Sequence, residues 1–315
     1  MNDRLITIFG GAGFIGRHLV RKLATSGWRI RVISRSPGLA GHLQPLGDVG
    51  QIVVQSESGT DEAALGRLLE GSQAVVNLVG ILYETGKQRF DEVHGERPGR
   101  IARAAANAGV GRLVHVSAIG ADDQSSSAYA RSKAKGEAAV RQAFDSAVII
   151  RPSIVIGPED DFFNRFAAMA RVLPVLPLIG GGKTRFQPVY VGDVADAIVA
   201  TLERADAKGR TYEIGGAKTY SFEELLRYML DVIGRKRFLV DLPFGMAALQ
   251  ARFLEWLPVP PLTRDQLELL KSDNVVGEGA LTLDDLGIAP TPIETVAPSY
   301  LARHRATPGK IEAIS

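Results

Sequence analysis

The stretch Ile6-Thr7-Ile8-Phe9-Gly10-Gly11-Ala12-Gly13-Phe14-Ile15-Gly16 constrains the fold of this chain more than any other. The apolar run from Leu5 to Phe9 predicts a buried strand. Gly10, Gly13 and Gly16 follow at three-residue intervals. The run from Arg17 to Thr25 then places Leu19, Val20 and Leu23 on one helical face. Strand, glycine turn and helix in this order form the frame of a dinucleotide-binding turn. Glycine permits the tight turn and lets a pyrophosphate approach the backbone. The amides and dipole at the helix start attract the phosphate charge. The candidate cradle is therefore Gly10, Gly11, Gly13, Phe14, Ile15 and Gly16. A glycine turn with no ligand is the plain alternative, and the flanking strand and helix weigh against it.

The second strand, Arg29 to Ser34, ends in Ser34-Arg35. An acid usually stands near this strand end in NAD-binding units and holds the ribose hydroxyls. A hydroxyl and a guanidinium suit a 2′-phosphate instead. Ser34 and Arg35 thus favour NADP(H) over NAD(H), against the simpler reading of a solvated arginine. Further strands are predicted over Gln51–Gln55, Gln73–Val79, Leu113–Val116 and Ala147–Ile150, with helices over Asp61–Glu70, Phe90–Ala108 and Tyr129–Phe144. Thr60 or Asp61 would cap the first of these helices. Pro37 to Gly50 reads as loop. The strand ending Asn77-Leu78-Val79-Gly80 has small residues that leave room for a flat cofactor, so Asn77, Val79 and Gly80 join the candidate site.

This alternation predicts an α/β fold, a Rossmann-type doubly wound parallel sheet with a smaller C-terminal α/β lobe. The expected dinucleotide domain covers 1–155, with 186–205 packing back on it. The lobe covers 156–185 and 206–303, and 304–315 forms a flexible tail. Within the lobe, Leu173 to Lys183 reads as a connection, Phe186 to Val191 as a strand, and Asp193 as the cap of a following helix.

The 315 residues are 45% apolar and carry 37 basic and 35 acidic groups, so neither disorder nor general nucleic-acid binding is indicated. Cysteine is absent, which excludes disulfides, thiolate nucleophiles and cysteine-ligated metal sites. The histidines show no metal-ligand spacing, and no metal is expected. The first strand begins without a signal or transit peptide before it, and no uncharged apolar run is long enough to span a bilayer. The expectation is a cytoplasmic protein.

Tyr129-Ala130-Arg131-Ser132-Lys133 sets a phenol and an ammonium four residues apart on one helical face. Lys133 would stabilise a phenolate, and a tyrosine tuned in this way exchanges a proton at a carbonyl while a hydride moves. Ser117, at a strand end, would hydrogen-bond the same oxygen. The candidate catalytic residues are Ser117, Tyr129 and Lys133, and all three would also line the cofactor.

The pattern Gly10-x-x-Gly13-x-x-Gly16, Ser117 and Tyr129-x-x-x-Lys133 resembles the extended and atypical short-chain dehydrogenase/reductase superfamily. Arg151-Pro152-Ser153 followed by Gly157-Pro158 is similar to its sixth-strand loop. That resemblance implies that Pro152 and Ser153 lie against the nicotinamide. Arg131 to Glu137, Gln187 to Val194, Asp206 to Gly209, Thr263 to Asp265 and Leu283 to Ile288 resemble one branch. It is the NADPH-binding accessory subunit of respiratory complex I (alpha-subcomplex subunit nine) and its bacterial relatives. The resemblance implies tightly held NADP(H). It also implies an accessory or assembly role linked to complex I or ubiquinone metabolism with little turnover, and a peripheral place at the inner face of the membrane. The alternative is a free NADP(H)-dependent oxidoreductase or epimerase acting on a small molecule.

Two features stand apart. His94 stands where the superfamily often carries an asparagine that relays protons. It is either a relay or a helix histidine packed on the sheet. The segment Phe244 to Leu262 spaces Leu249, Phe253, Trp256 and Leu257 helically and ends at Pro258, Pro260 and Pro261. It is either a buried lobe helix or an apolar face offered to a membrane or partner.

Overall fold

A computed structural model describes residues 4–57, 59, 61–86, 88–257 and 260–305. The chain forms two compact units. The first holds Met1–Pro152, Val191–Ile214 and Val276–Ala289, and the second Ser153–Tyr190, Gly215–Val275 and Pro290–Ser315.

The first unit begins with β1 (Leu5–Phe9), α1 (Phe14–Thr25), β2 (Arg29–Ser34), β3 (Ile52–Ser56), α2 (Glu62–Leu69) and β4 (Ala74–Asn77). It continues with α3 (Arg97–Asn107), β5 (Arg112–Val116), α4 (Ala128–Ala143) and β6 (Val148–Pro152). In the second unit come β7 (Val155–Ile156), α5 (Phe163–Val172), β8 (Val175–Ile179), β9 (Arg185–Phe186) and β10 (Val189–Tyr190). The chain returns to the first unit with α6 (Val191–Glu203) and β11 (Thr211–Ile214), then supplies β12 (Tyr220–Ser221), α7 (Phe222–Val232), β13 (Phe238–Leu242), α8 (Phe244–Leu254), α9 (Arg264–Leu269) and α10 (Ile293–Leu301) to the second.

A seven-stranded parallel sheet in the order β11-β6-β5-β4-β1-β2-β3 carries the first unit. It is the doubly wound Rossmann-type sheet that the alternation predicts. Helices cover both faces, so the central strands are buried on both sides, and every residue of β4 is buried. Register places Phe9 beside Ile33 and Asn77, and Asn77 beside His115. The strand order reverses between β1 and β4, and a crevice opens at such a point beyond the carboxyl ends of the strands. Asp61 caps α2 by accepting from the Ala64 N–H at 2.9 Å, and Ser127 caps α4 by accepting from Ala130 at 3.2 Å. Thr60 lies outside the described residues.

Several sequence expectations need correction. Pro37–Leu46 is a 3₁₀ helix rather than loop, because Ala40 and Leu43 point into the core. The helix expected from Phe90 begins with a π-helical turn at Asp91–Glu96, and regular α3 starts only at Arg97. Pro98 falls in the first turn of α3, directly after the π-helical turn. Val175–Ile179 is a strand paired with β13, from Val175↔Phe238 to Ile179↔Leu242. Pro177 is tolerated there because a two-stranded ribbon has only edges. Residues 206–214 belong to the first unit because β11 pairs with β6, and 276–289 follow through the bridge between Tyr212 and Leu281. Residues 186–190 belong to the second unit, where β9 pairs with β12 and β10 with β7. Asp193 lies in the first turn of α6, which starts at Val191, and is not its N-cap. His304 is buried, its Nε2 3.2 Å from Asn164 Oδ1, so the expected tail does not begin there. Residues 306–315 lie outside the described ones.

The second unit has its own core, in which Phe163, Leu176, Phe222, Leu225, Leu226, Met229 and Ile293 are buried together. The capping box of Ser221 and Glu224 starts α7. In α8, Ala247 and Ala251 face the core while Met246, Leu249 and Phe253 are exposed, followed by Trp256 at 90% exposure. Of the segment singled out in the sequence, Pro258 lies outside the described residues.

In the first unit, the π-helical turn and α4 meet backbone to backbone at Gly136. A Cβ there would overlap the His94 carbonyl oxygen and touch Pro98 at 3.4 Å. Gly99 meets Ala139 on the same seam. Gly136→Ala is therefore expected to destabilise the fold by about 1–3 kcal/mol, measured by urea denaturation.

Candidate functional site

The crevice of the first unit is built from the carboxyl ends of β1, β4 and β5 and from the first turn of α4. Gly10 has φ +78°, and a Cβ there would lie 3.1–3.3 Å from Leu78 and Val79. Gly13 is the N-cap of α1; its N–H donates to the Gly10 carbonyl at 3.0 Å. A Cβ on Gly16 would overlap the Gly11 backbone, which fixes how closely α1 approaches the turn. Gly11 itself packs on Val32 and Ile8, and Phe14 meets His18 edge to face. Ile15 is half-buried in the first turn of α1. No side chain caps α1, and its first turn holds no acid. Such a terminus is complementary to a pyrophosphate.

Ser34 and Arg35 stand at the end of β2, with Arg35 exposed. Ser34 Oγ accepts from the Ser36 N–H at 3.2 Å. Arg97, buried and ion-paired with Glu57, adds a second positive charge close enough to interact with Arg35. Neither Glu57 nor Arg97 is evident in the sequence as part of the site. They come together across 40 residues of chain, and no local spacing announces the pair.

Deeper in, Asn77 Oδ1 accepts from the Val79 N–H at 3.1 Å, and its Nδ2 donates to His115 Nδ1 at 3.1 Å. That acceptor role puts the imidazole proton of His115 on Nε2, which is buried without a partner. The Asn77–His115 contact has no local signal in the sequence, because only strand register creates it. Lys133 is 5% exposed; its Nζ donates to the Val116 carbonyl at 3.4 Å and lies 5.7 Å from the Tyr129 ring centroid. Ser117 is buried, its N–H donates to Ile150 O at 2.7 Å, and its Oγ has no partner. An orphan hydroxyl of this kind calls for an acceptor or donor from outside the chain. A Cβ on Gly80 would lie 3.6 Å from both His94 Nε2 and Lys133 Nζ, so Gly80 keeps the space between them open. Pro152 ends β6 and accepts from the Ile119 N–H at 3.0 Å. Ser153 falls in the second unit, where its hydroxyl donates to Asn274 Oδ1 at 2.7 Å.

The charges here are set by burial. Desolvation, reinforced by the Lys133 charge and by His115, lowers the His94 pKa to about 2. Desolvation and Lys133 lower that of His115 to about 3. Lys133 is lowered to about 8 by its own burial, against the pull of Glu137 one turn on. Glu137 is held by Arg151, whose Nε and Nη2 reach it at 2.9 and 2.7 Å. Among the described residues, no group of three or more acids and histidines is placed to hold a metal.

The model of the family described as "NAD dependent epimerase/dehydratase family" matches residues 6–215. The chain belongs to that family. Subunit nine of the NADH dehydrogenase [ubiquinone] 1 alpha subcomplex from Arabidopsis thaliana mitochondria is 36% identical over 311 residues, covering 95% of this chain and 77% of the relative. The Mus musculus subunit is likewise 36% identical, at 95% and 80% coverage. A ceramide reductase of Caulobacter vibrioides is 34% identical over 241 residues, with 76% and 74% covered. The solved structure of an NADPH-dependent quinone oxidoreductase from Escherichia coli in complex with NADPH shares the fold at a TM-score of 0.74 and 20% identity, with 94% of this chain and 99% of that one covered. The resemblance to the complex I subunit and to the short-chain dehydrogenase fold is thus borne out.

The buried histidines make stability depend on pH. An unfolded histidine titrates near about 6.5, above both folded values, so the unfolded chain binds more protons as the pH falls below that point. Stability should therefore fall on acidification, by up to about 1.4 kcal/mol per pH unit for each histidine. Lys133 acts on the alkaline side with the same sign: stability should rise from about pH 8 toward the free-lysine value near about 10.4. Denaturation curves at stepped pH should show both slopes, and His94→Gln should flatten the acidic one.

Proposed function

We propose that this chain holds NADP(H) and serves as an accessory or assembly factor linked to respiratory complex I or quinone metabolism, with little or no turnover. The observation that carries this reading is the relationship to complex I subunits along 95% of the chain. The cofactor residues in this reading are Gly10, Gly11, Gly13, Phe14, Ile15 and Gly16 at the pyrophosphate, and Ser34 and Arg35 at a 2′-phosphate. Asn77, Val79, Gly80, Ser117, Tyr129, Lys133, Pro152 and Ser153 would line the nicotinamide end. The uncapped start of α1 and the orphan Ser117 hydroxyl support dinucleotide binding. The exposed Arg35 beside Arg97 favours the phosphorylated form, since two cations with one acid leave positive charge for a phosphate.

A second reading, a free NADP(H)-dependent oxidoreductase or epimerase, is favoured by the complete set of Ser117, Tyr129 and Lys133. In that case the bound cofactor supplies the hydride. Tyr129 gives or takes the proton at the substrate oxygen, Ser117 hydrogen-bonds that oxygen, and Lys133 steadies the phenolate. The two readings part on retention. Denaturing the purified protein should release about one NADP(H) per chain, identified by mass spectrometry, if the cofactor is a fixed part of the protein; loss of nucleotide on simple dialysis favours the enzyme. Arg35→Glu should weaken NADP(H) by about tenfold or more in calorimetry. Tighter binding of NAD(H) than NADP(H) by the native protein would overturn the preference.

The exposed Met246, Leu249, Phe253 and Trp256 support docking to a membrane-associated complex at the cytoplasmic face. No described helix is long and apolar enough to cross a membrane. Phe253→Glu with Trp256→Glu should shift the protein from the membrane fraction of lysates to the supernatant without lowering its melting temperature. Unchanged partitioning would refute the docking role.

A further inference from the structure

Both ring nitrogens of His94 have hydrogen-bond partners, although the catalytic set does not include it. It is 1% exposed and sits in the π-helical turn Asp91–Glu96. Such turns are rare and often mark functional positions. The Ile81 N–H donates to His94 Nε2 at 3.0 Å. A backbone amide can only donate, so Nε2 is bare and the ring proton is on Nδ1. Ser132 Oγ stands 3.2 Å from Nδ1 and donates its own hydrogen to the Tyr129 carbonyl at 2.7 Å. The Ser132 oxygen is therefore free to accept the Nδ1 proton, and both ends of the chain of hydrogen bonds require the same tautomer.

The ring also packs. Phe90 stacks on His94 with centroids 5.4 Å apart and planes at 19°, and Tyr129 meets His94 edge to face at 5.1 Å. Phe90 meets Tyr129 at 5.6 Å and 83°. On the other side, the segment that supplies Ile81 runs back to the glycine turn: the Leu78 N–H donates to Phe9 O at 2.9 Å, and Leu78 and Val79 lie against Gly10. One continuous set of contacts thus leads from Gly10 through Leu78–Ile81 and His94 to Ser132 and Tyr129.

We propose that His94 is a positioning residue, a permanently neutral brace that ties the loop against the glycine turn to the helix carrying Tyr129. It is not a proton relay. A relay would need Nε2 to exchange a proton, and the Ile81 amide occupies it. The charged group facing the ring is Lys133, with His115 and the Tyr129 phenol beside it, and a second positive charge in that company is disfavoured. The brace couples grip on the cofactor to the orientation of Tyr129. This rests on the dinucleotide reading of the crevice, but the hydrogen-bond pattern does not.

Two side chains separate the ends of the brace. Glutamine places an amide oxygen near Nε2 and can still accept from Ile81. Asparagine places its amide nitrogen near Nδ1 and can reach only Ser132. In ¹⁵N-histidine NMR, the signal lost in His94→Gln identifies His94. It should show a protonated Nδ1, a bare Nε2 and no titration between about pH 5.5 and 8. The Ile81 amide should be protected from hydrogen exchange in the native protein and in His94→Gln, and exposed in His94→Asn and His94→Phe. NADPH affinity should fall by about tenfold in the Asn and Phe variants and by no more than about threefold in the Gln variant. An Nε2–H tautomer, titration near neutrality, or equal losses in the Gln and Asn variants would overturn the brace. If the native protein binds no nicotinamide nucleotide, the cofactor reading fails, and Ile81 exchange together with the tautomer still decides for or against the brace.

Discussion

Burying the Lys133 ammonium at the carboxyl end of β5 is the constraint to which the rest of the crevice answers. A cation 5% exposed is costly, and the structure offsets it piecemeal. The Val116 carbonyl accepts from it, the Tyr129 ring lies beside it, and Glu137 stands one turn on. Glu137 would itself be an expensive buried charge without Arg151, and Arg151 in turn reaches Glu213 on β11 at 3.3 Å. That network ties α4 and β6 to β11, where the chain returns to the sheet. The last strand carries the acid that completes the charge balance begun on α4.

Much of this was legible in the sequence, for reasons that differ from place to place. The glycine turn was readable because three small residues, a strand and a helix are all local. Tyr129 and Lys133 were readable because helical spacing is fixed. The cap Asp61 was readable because a capping side chain acts within three residues. What escaped is non-local or subtle in backbone. The Asn77–His115 contact depends on register between strands, and Arg97–Glu57 on how α3 lies over β3. The π-helical turn adds one residue to a helix whose apolar pattern changes little. The strand at Val175–Ile179 was hidden because Pro174, Pro177 and Gly180 to Gly182 read as connection, while its partner β13 comes some 60 residues later.

The second unit shows a different economy. Its core is well filled, with four phenylalanines, Phe162, Phe163, Phe186 and Phe222, in ring-to-ring contact. Yet beyond Phe244 in its first turn, α8 presents mainly alanines to that core and turns Met246, Leu249 and Phe253 outward. A helix that spends its apolar volume on the outside gains little from folding alone. The sequence could show the apolar spacing but not its direction, since a stripe of alanines and a stripe of large residues are both acceptable to a core.

The two histidines around Lys133 carry opposite tautomers, Nδ1–H on His94 and Nε2–H on His115, each dictated by a neighbour that can only donate. Both rings are electrically silent, and the lysine is the one charge between them. From neutrality down to mild acidity the crevice therefore keeps a constant charge. The two rings add no pH dependence of their own to whatever the crevice holds over that range.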